Sequence, residues 1–169
     1  MTPIFRHVKT KRRGKIFFGP NRVGLVGPEY FTNLIQVLAG KLGYEETSRL
    51  LYEAFRGAAH KRFERAKSLY SGHKKIVERF ERNVVPALME MGLFGKIRLL
   101  TLQEGSVRLA AQDSLFVHSE LSYPTCLLTA AILAGAWSTI SGVEWECVEK
   151  ACASMGNDEC EFELTERRQ

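Results

Sequence analysis

No stretch of the 169-residue chain approaches the roughly 18 consecutive apolar residues that a membrane-spanning helix needs, so no membrane span is expected. The first fifteen residues carry no acid and no apolar run of the kind a secretory leader has, and the expected location is cytoplasmic. Cysteine is scarce, at four residues. In a reducing compartment so few thiols read as metal ligands or buried side chains rather than a disulfide framework. Also missing are a G-x-G-x-x-G following a strand, a P-loop and a nucleophile elbow. Without a cofactor site a hydride transfer has no source, so a binding module is favoured over an enzyme, with the enzyme left open. There are no repeats, low-complexity segments or internal linkers, and the length suits one domain with a substantial core.

What is present is distributed unevenly. The net charge of +5 comes from the N-terminus, where Arg6, Lys9, Lys11, Arg12, Arg13 and Lys15 meet no acid. From Thr101 onward there are 11 acids and four bases. Residues 1–13 are therefore expected to form a basic arm and residues 14–169 a single domain. Such an arm could attract nucleic acid, but it could equally attract the acidic C-terminal third of a second copy. Aromatic residues are not interleaved with the basic ones, as a stacking platform would require, which makes nucleic acid the lesser reading.

The pattern of apolar residues predicts a short strand at Lys15–Phe18 and a turn at Gly19-Pro20-Asn21. A helix from Pro28 to about Ala39, stopped by Gly40, follows. A second helix is predicted from near Glu45 to about Tyr70, burying Leu51, Phe55, Ala58, Phe63, Ala66 and Tyr70. A third, Lys74 to Met91, buries Ile76, Phe80, Val84, Leu88 and Met91 and should kink at Pro86. After Gly95, Lys96–Leu102 and Val107–Gln112 flank a turn and read as a hairpin. The near-uncharged segment opened by Pro124 and ended by Gly142 reads as a buried helix with Cys126, Ala130, Leu133, Trp137 and Ile140 on one face. A final hairpin pairs Val143–Cys152 with Glu159–Thr165. The sum is an α+β domain, with helices packed on one face of an antiparallel sheet.

That last hairpin carries the chemistry. A loop centred on Gly156 sets Cys152 opposite Cys160 on neighbouring strands, about 4.5–5.5 Å apart at Cβ, and such thiolates can share one ion. Gly156 and Asn157 both tolerate the positive φ of a tight turn. Cys126 offers a third thiol from the buried helix, and either Glu149 or Cys147 a fourth group. A cross-strand disulfide and simple buried thiols are the competing readings. Among the histidines, His7 lies in the arm, His60 and His73 lie on basic surface, and His118 follows the second hairpin strand.

The segment Glu149-x2-Cys152-x3-Gly156-x-Asp158-x-Cys160-x-Phe162 resembles the C-terminal signature of the 4-vinyl reductase domain family, whose members include hydrocarbon-binding proteins. It also resembles the sensor domains of phenol- and xylene-responsive transcription activators. Gly14-Lys15-Ile16-Phe17-Phe18-Gly19 with Arg22, and Tyr123-Pro124-Thr125-Cys126, resemble other parts of those sensors. The resemblance implies a structural zinc held by Cys126, Glu149, Cys152 and Cys160. It further implies a homodimer and an α/β domain enclosing an apolar cavity, of the type shared with Golgi transport tethers and nitric-oxide-signalling domains. Glu149 and Cys152 are three apart, so a flat strand would point them to opposite faces, and a bulge between them is expected.

Two positions depart from the phenol sensors. Leu88-Met89-Glu90-Met91 contains no histidine, and Val107–Gln112 no tryptophan. The implied cavity wall, Val84, Leu88, Met91, Ala130 and Cys147, is apolar and suits a hydrocarbon-like ligand rather than a phenol. Small residues (Ala130, Ala131, Ala134, Gly135) are expected to leave it room. The expected function is therefore a small-molecule-binding or sensor domain with a structural zinc. A scaffold or tethering subunit and an enzyme acting on a tetrapyrrole vinyl group are the alternatives.

Overall fold

The run of uncharged residues after Pro124 becomes the central helix, as its composition demands. In the computed structural model it spans Leu127–Ser141 (α4), and every residue from Leu127 to Ile140 except Ile132 is buried. The structure describes residues 8–11, 15–18, 21–23, 27–65, 76–90, 92–117 and 123–167, the first three segments as backbone. Those three are strands β1 (Val8–Lys11), β2 (Lys15–Phe18) and β3 (Asn21–Val23), joined antiparallel in the order β1-β2-β3. β2 matches the predicted strand, and β1 lies within the segment read as an arm.

Two helices follow, α1 (Pro28–Leu42) and α2 (Tyr44–Arg65). Helix α1 runs through Gly40 and stops instead at Gly43, whose φ of 80° only glycine adopts without cost. The buried stripe of α2 is Thr47, Ala59 and Phe63, backed by Tyr44, Leu51, Tyr52 and Phe55. Ala58, predicted inward, is exposed, because the stripe is anchored by Tyr44 and Thr47 and its 3.6-residue period reaches Ala59. Ala66 and Tyr70 lie outside the described residues. The third helical run, labelled α3, consists of Ile76–Arg79, a π-turn at Phe80–Val84 and Val85–Glu90. The predicted kink takes the form of that π-turn, closed by the Val85 N–H donating to Phe80 O. Pro86 thus stands near the start of a fresh helical turn, where it has no hydrogen bond to lose.

The second sheet has the order β4-β5-β7-β6, all antiparallel, from β4 (Lys96–Gln103), β5 (Ser106–Gln112), β6 (Trp145–Ala151) and β7 (Cys160–Glu166). Both predicted hairpins are present. Val107, Leu109, Ala111, Cys147, Phe162 and Leu164 point inward at period two and are buried. The outer face carries cross-strand ion pairs, Arg98–Glu159 at 2.5 Å, Arg108–Glu161 at 2.6 Å and Lys150–Glu163 at 2.8 Å. An apolar face and a charged face put the helices on one side only, as the α+β reading requires.

Helix α4 packs between the sheet and α2. Gly135 permits the approach to α2. A Cβ placed there would stand 2.8 Å from Ala59 Cβ, 2.8 Å from His60 N and 2.9 Å from Arg56 O. The room expected to be left by Gly135 is therefore taken by the backbone of α2. Two tyrosines of α2 fasten it to the other layer. Tyr44 OH donates to Pro124 O at 2.7 Å, and Tyr52 OH accepts from Cys147 N at 2.8 Å.

Candidate metal centre

Three separate pieces of chain deliver the site. Cys126 stands at the N-cap of α4, immediately after the Pro124-Thr125 entry. Glu149 comes from β6. Cys152 and Cys160 flank the hairpin loop, which winds through a 3-10 turn at Ala153–Met155 and reverses at Gly156 with φ 88°. The expected bulge is there. The β6–β7 register runs Glu149↔Phe162 and then Ala151↔Glu161, so Lys150 is the extra residue. Continued one step, that register sets Cys152 against Cys160. The bulge is what brings Glu149 and Cys152, three apart, to the same face.

Asn157 plays a different part from the one its turn propensity suggested. It does not take a positive φ. Its Nδ2 donates to Cys152 O at 2.9 Å, and its own N–H and that of Met155 converge on the same carbonyl. This fixes the backbone of Cys152 before the chain returns.

One ligand atom from each of Cys126, Glu149, Cys152 and Cys160 lies within 4.8 Å of all the others. Cys126 Sγ and Cys160 Sγ are 3.5 Å apart. Ligands of a tetrahedral zinc with Zn–S bonds of about 2.3 Å stand about 3.8 Å from one another, so the quartet is close to coordination spacing. The three thiols are buried, each at 2% exposure or less. Glu149 Oε2 accepts from Cys126 N at 3.1 Å, while Glu149 Oε1 is buried without a protein partner. An orphaned carboxylate oxygen beside three thiols is costly unless a cation takes it.

The electrostatics say the same. Burial, and then the Cys152 side chain, push the Glu149 carboxyl up to about 9. The Cys152 thiol is driven far down by hydrogen bonds from Cys126 and Cys160. Cys126 is driven far up, first because it donates to Cys152. The Cys160 thiol sits at about 12: its contact with Cys126 lowers it, and Cys152 with burial outweighs that. With only protons available the four acids share a single negative charge, whereas a divalent cation would let all four ionise. Three soft sulfur donors and one carboxylate suit zinc and exclude magnesium or calcium. The residues fit the metal.

Cys147, the other candidate for the fourth place, is not in the quartet. It is buried two residues before Glu149, its thiol raised by burial. A Cys147→Ser variant is accordingly expected to keep full metal content by elemental analysis, and stoichiometric loss would return the fourth place to Cys147.

Supporting groups went unread in the sequence. Ser114 Oγ lies 3.5 Å from Cys126 Sγ, Ala153 N–H donates to Cys160 Sγ at 3.4 Å, and Thr125 Oγ1 joins Ser154 Oγ at 2.6 Å. Thr125 adjoins a ligand and Ser154 sits in the ligand loop, so position alone could have flagged both. Ser114 has no such signal, because it reaches the site across the sheet. Of the expected cavity wall, Val84, Leu88, Ala130 and Cys147 belong to one buried cluster. Met91 lies outside the described residues, as do His7, His73 and His118. His60 is held by Thr139 Oγ1 at 3.2 Å.

Comparison with known proteins follows the same lines. Residues 109–166, from β5 to β7 and with all four quartet residues inside, match the model of the 4-vinyl reductase domain, so the chain carries the domain signature that its C-terminal motif resembles. The sequence matches none of the curated proteins. The fold is similar to that of the phenol-responsive sensory domain of the transcription activator PoxR, solved with phenol. The TM-score is 0.79 at 19% identity, over 96% of this chain and 86% of that one. A trafficking protein particle complex subunit 3 from Naegleria fowleri, covalently bound to palmitic acid, gives 0.63 at 13% identity over 83% and 93%. A vinyl-4-reductase family protein from Methanocaldococcus jannaschii gives 0.53 at 22% identity over 86% and 85%. Among the described residues no helix is long and apolar enough to cross a membrane.

Proposed function

We propose that this chain is a small-molecule-binding domain, a sensor or carrier of a hydrocarbon-like ligand, whose wall is stapled by a structural zinc at Cys126, Glu149, Cys152 and Cys160. The observation that carries the reading is the buried quartet with its unpartnered Glu149 oxygen. Four protein ligands close a zinc site, whereas a catalytic zinc keeps one place for water. A metal here would join the start of α4 to both arms of the last hairpin, and it would supply crosslinking rather than reactivity.

The ligand class is supported by the match to the 4-vinyl reductase domain and by two fold relatives, one solved with phenol and one carrying palmitic acid. The apolar side chains Val84, Leu88, Ala130 and Cys147, with Met91, are the proposed contacts. Affinity would then follow buried apolar area, at about 25 cal/mol per Å². The test is a thermal-shift screen of hydrocarbons, isoprenoids and aromatic alcohols, with calorimetry on each hit. Ala130→Phe is expected to abolish the ligand-induced stabilisation while metal content stays at one per chain. A screen without a hit would hand the function to the scaffold reading.

The same proposal includes a homodimer. Helix α1 supports it by exposing Tyr30 (73%), Leu34 and Val37 (56%) at i, i+4 and i+7, an apolar stripe that a second copy would cover. Light scattering at micromolar concentration is expected to give twice the chain mass of 19.1 kDa, and a monomer mass would refute it.

A further inference from the structure

The end of strand β5 is bent at a cost. Asp113, just beyond it, has φ 53°, the one positive φ of a non-glycine residue among those described. Around it Gly95 N–H is directed at Gln112 O (3.1 Å) and Asp113 O (3.2 Å). No side chain fits at Gly95, where a Cβ would stand 2.6 Å from Asp113 Oδ2. Leu115 N–H donates to Leu93 O and Val117 N–H to Ser114 O, at 3.0 and 3.1 Å. Strained backbone held in place on every side is a reason to ask what it aims.

It aims Ser114. This side chain is buried (7% exposed) with its Oγ 3.5 Å from Cys126 Sγ and 3.4 Å from Thr129 Oγ1, one turn further along α4. The other ligands are held differently. Cys160 Sγ and Glu149 Oε2 take main-chain N–H groups, from Ala153 and Cys126. Thr125 Oγ1 is 3.9 Å from Cys152 Sγ and is engaged at 2.6 Å by Ser154.

Resting on the metal reading above, we propose that Ser114 is a positioning residue for the centre: its hydroxyl holds the Cys126 sulfur and sets its orientation and donor strength toward the metal. A metal-bound thiolate is an acceptor only, so Ser114 donates to it while accepting from the Thr129 hydroxyl. The hydroxyls turn on their C–O bonds, and no heavy atom has to move. Partners of this kind orient the ligands they touch and tune the metal.

The test is cobalt(II) titration of the full chain freed of metal, followed by thiolate-to-cobalt charge-transfer absorption and by competition with a chelator. Ser114→Ala is expected to bind one cobalt about 10–100-fold more weakly, with a shifted charge-transfer band. Ser114→Thr should restore both. Thr129→Val removes the support of Ser114 and keeps the sulfur contact, so its band should move the same way by less. That variant carries the test if Ser114→Ala does not fold. Wild-type affinity and band in these variants would overturn the role of Ser114 and leave the metal reading standing. A wild-type chain that takes up no stoichiometric cobalt would overturn both.

Discussion

Cys160→Ser protein is expected to be purified without stoichiometric zinc and to be less stable than the wild type by at least about 3 kcal/mol, because binding to a site absent from the unfolded chain is itself folding free energy. In zinc-finger peptides that contribution reaches roughly 10–16 kcal/mol. Here the core of Trp137, Phe80, Leu128 and Phe162 folds alongside the site, so part of the structure survives metal loss. At about 2–4 °C per kcal/mol for a chain of this size, the melting temperature should fall by roughly 6–12 °C or more. The serine removes one sulfur donor and leaves Cys126 without its neighbour at 3.5 Å. Wild-type protein stripped by a chelator should melt where Cys160→Ser does. If Cys160→Ser lost zinc and still melted with the wild type, the metal would not be structural.

Gly135→Ala is expected to be the most damaging single-methyl change in the helical layer. Alanine normally gains about 1 kcal/mol over glycine inside a helix, and at an open site the substitution would stabilise. At this site the new methyl meets Ala59 Cβ, His60 N and Arg56 O, all under 3 Å. Two of the three are backbone atoms, which cannot turn aside as a flexible side chain would. Helices α2 and α4 must separate, straining the Tyr52–Cys147 and Tyr44–Pro124 hydrogen bonds that tie α2 to the far layer. Overpacking of this kind costs about 1–3 kcal/mol, so a net loss of about 1–2 kcal/mol remains after the helix gain. Gly57→Ala is the control, since nothing lies within 4 Å of its added Cβ. Chemical denaturation of both variants should move the midpoints in opposite directions; equal gains would mean that α2 and α4 do not pack this closely.

The sequence made the metal ligands legible because their constraint is local. Cys152 and Cys160 are paired by one turn, and the parity conflict at Glu149 required a bulge, which the structure places at Lys150. Cys126 was legible as the inward residue at the mouth of an uncharged helix. What stayed hidden depends on distance in the fold. The close approach at Gly135 needs α2 to be known as its neighbour, and a small residue on a buried helix serves as well for a cavity as for a contact. Ser114 reaches Cys126 across the sheet, with no spacing to announce it. Gly40 and Pro86 misled in degree, since α1 continues through a glycine it can carry and α3 absorbs its proline after a π-turn. Ala58 and Ala59 are alike in composition, and only the tyrosine and threonine that anchor α2 decide which of them faces in.

The most direct test of the central claim is native mass spectrometry of the chain purified without chelators, run beside Cys160→Ser. The mass excess of a single zinc per chain in the wild type, absent from the variant, is what the quartet predicts. A wild-type chain carrying no metal, with Cys126, Cys152 and Cys160 recovered as ordinary thiols, would contradict it.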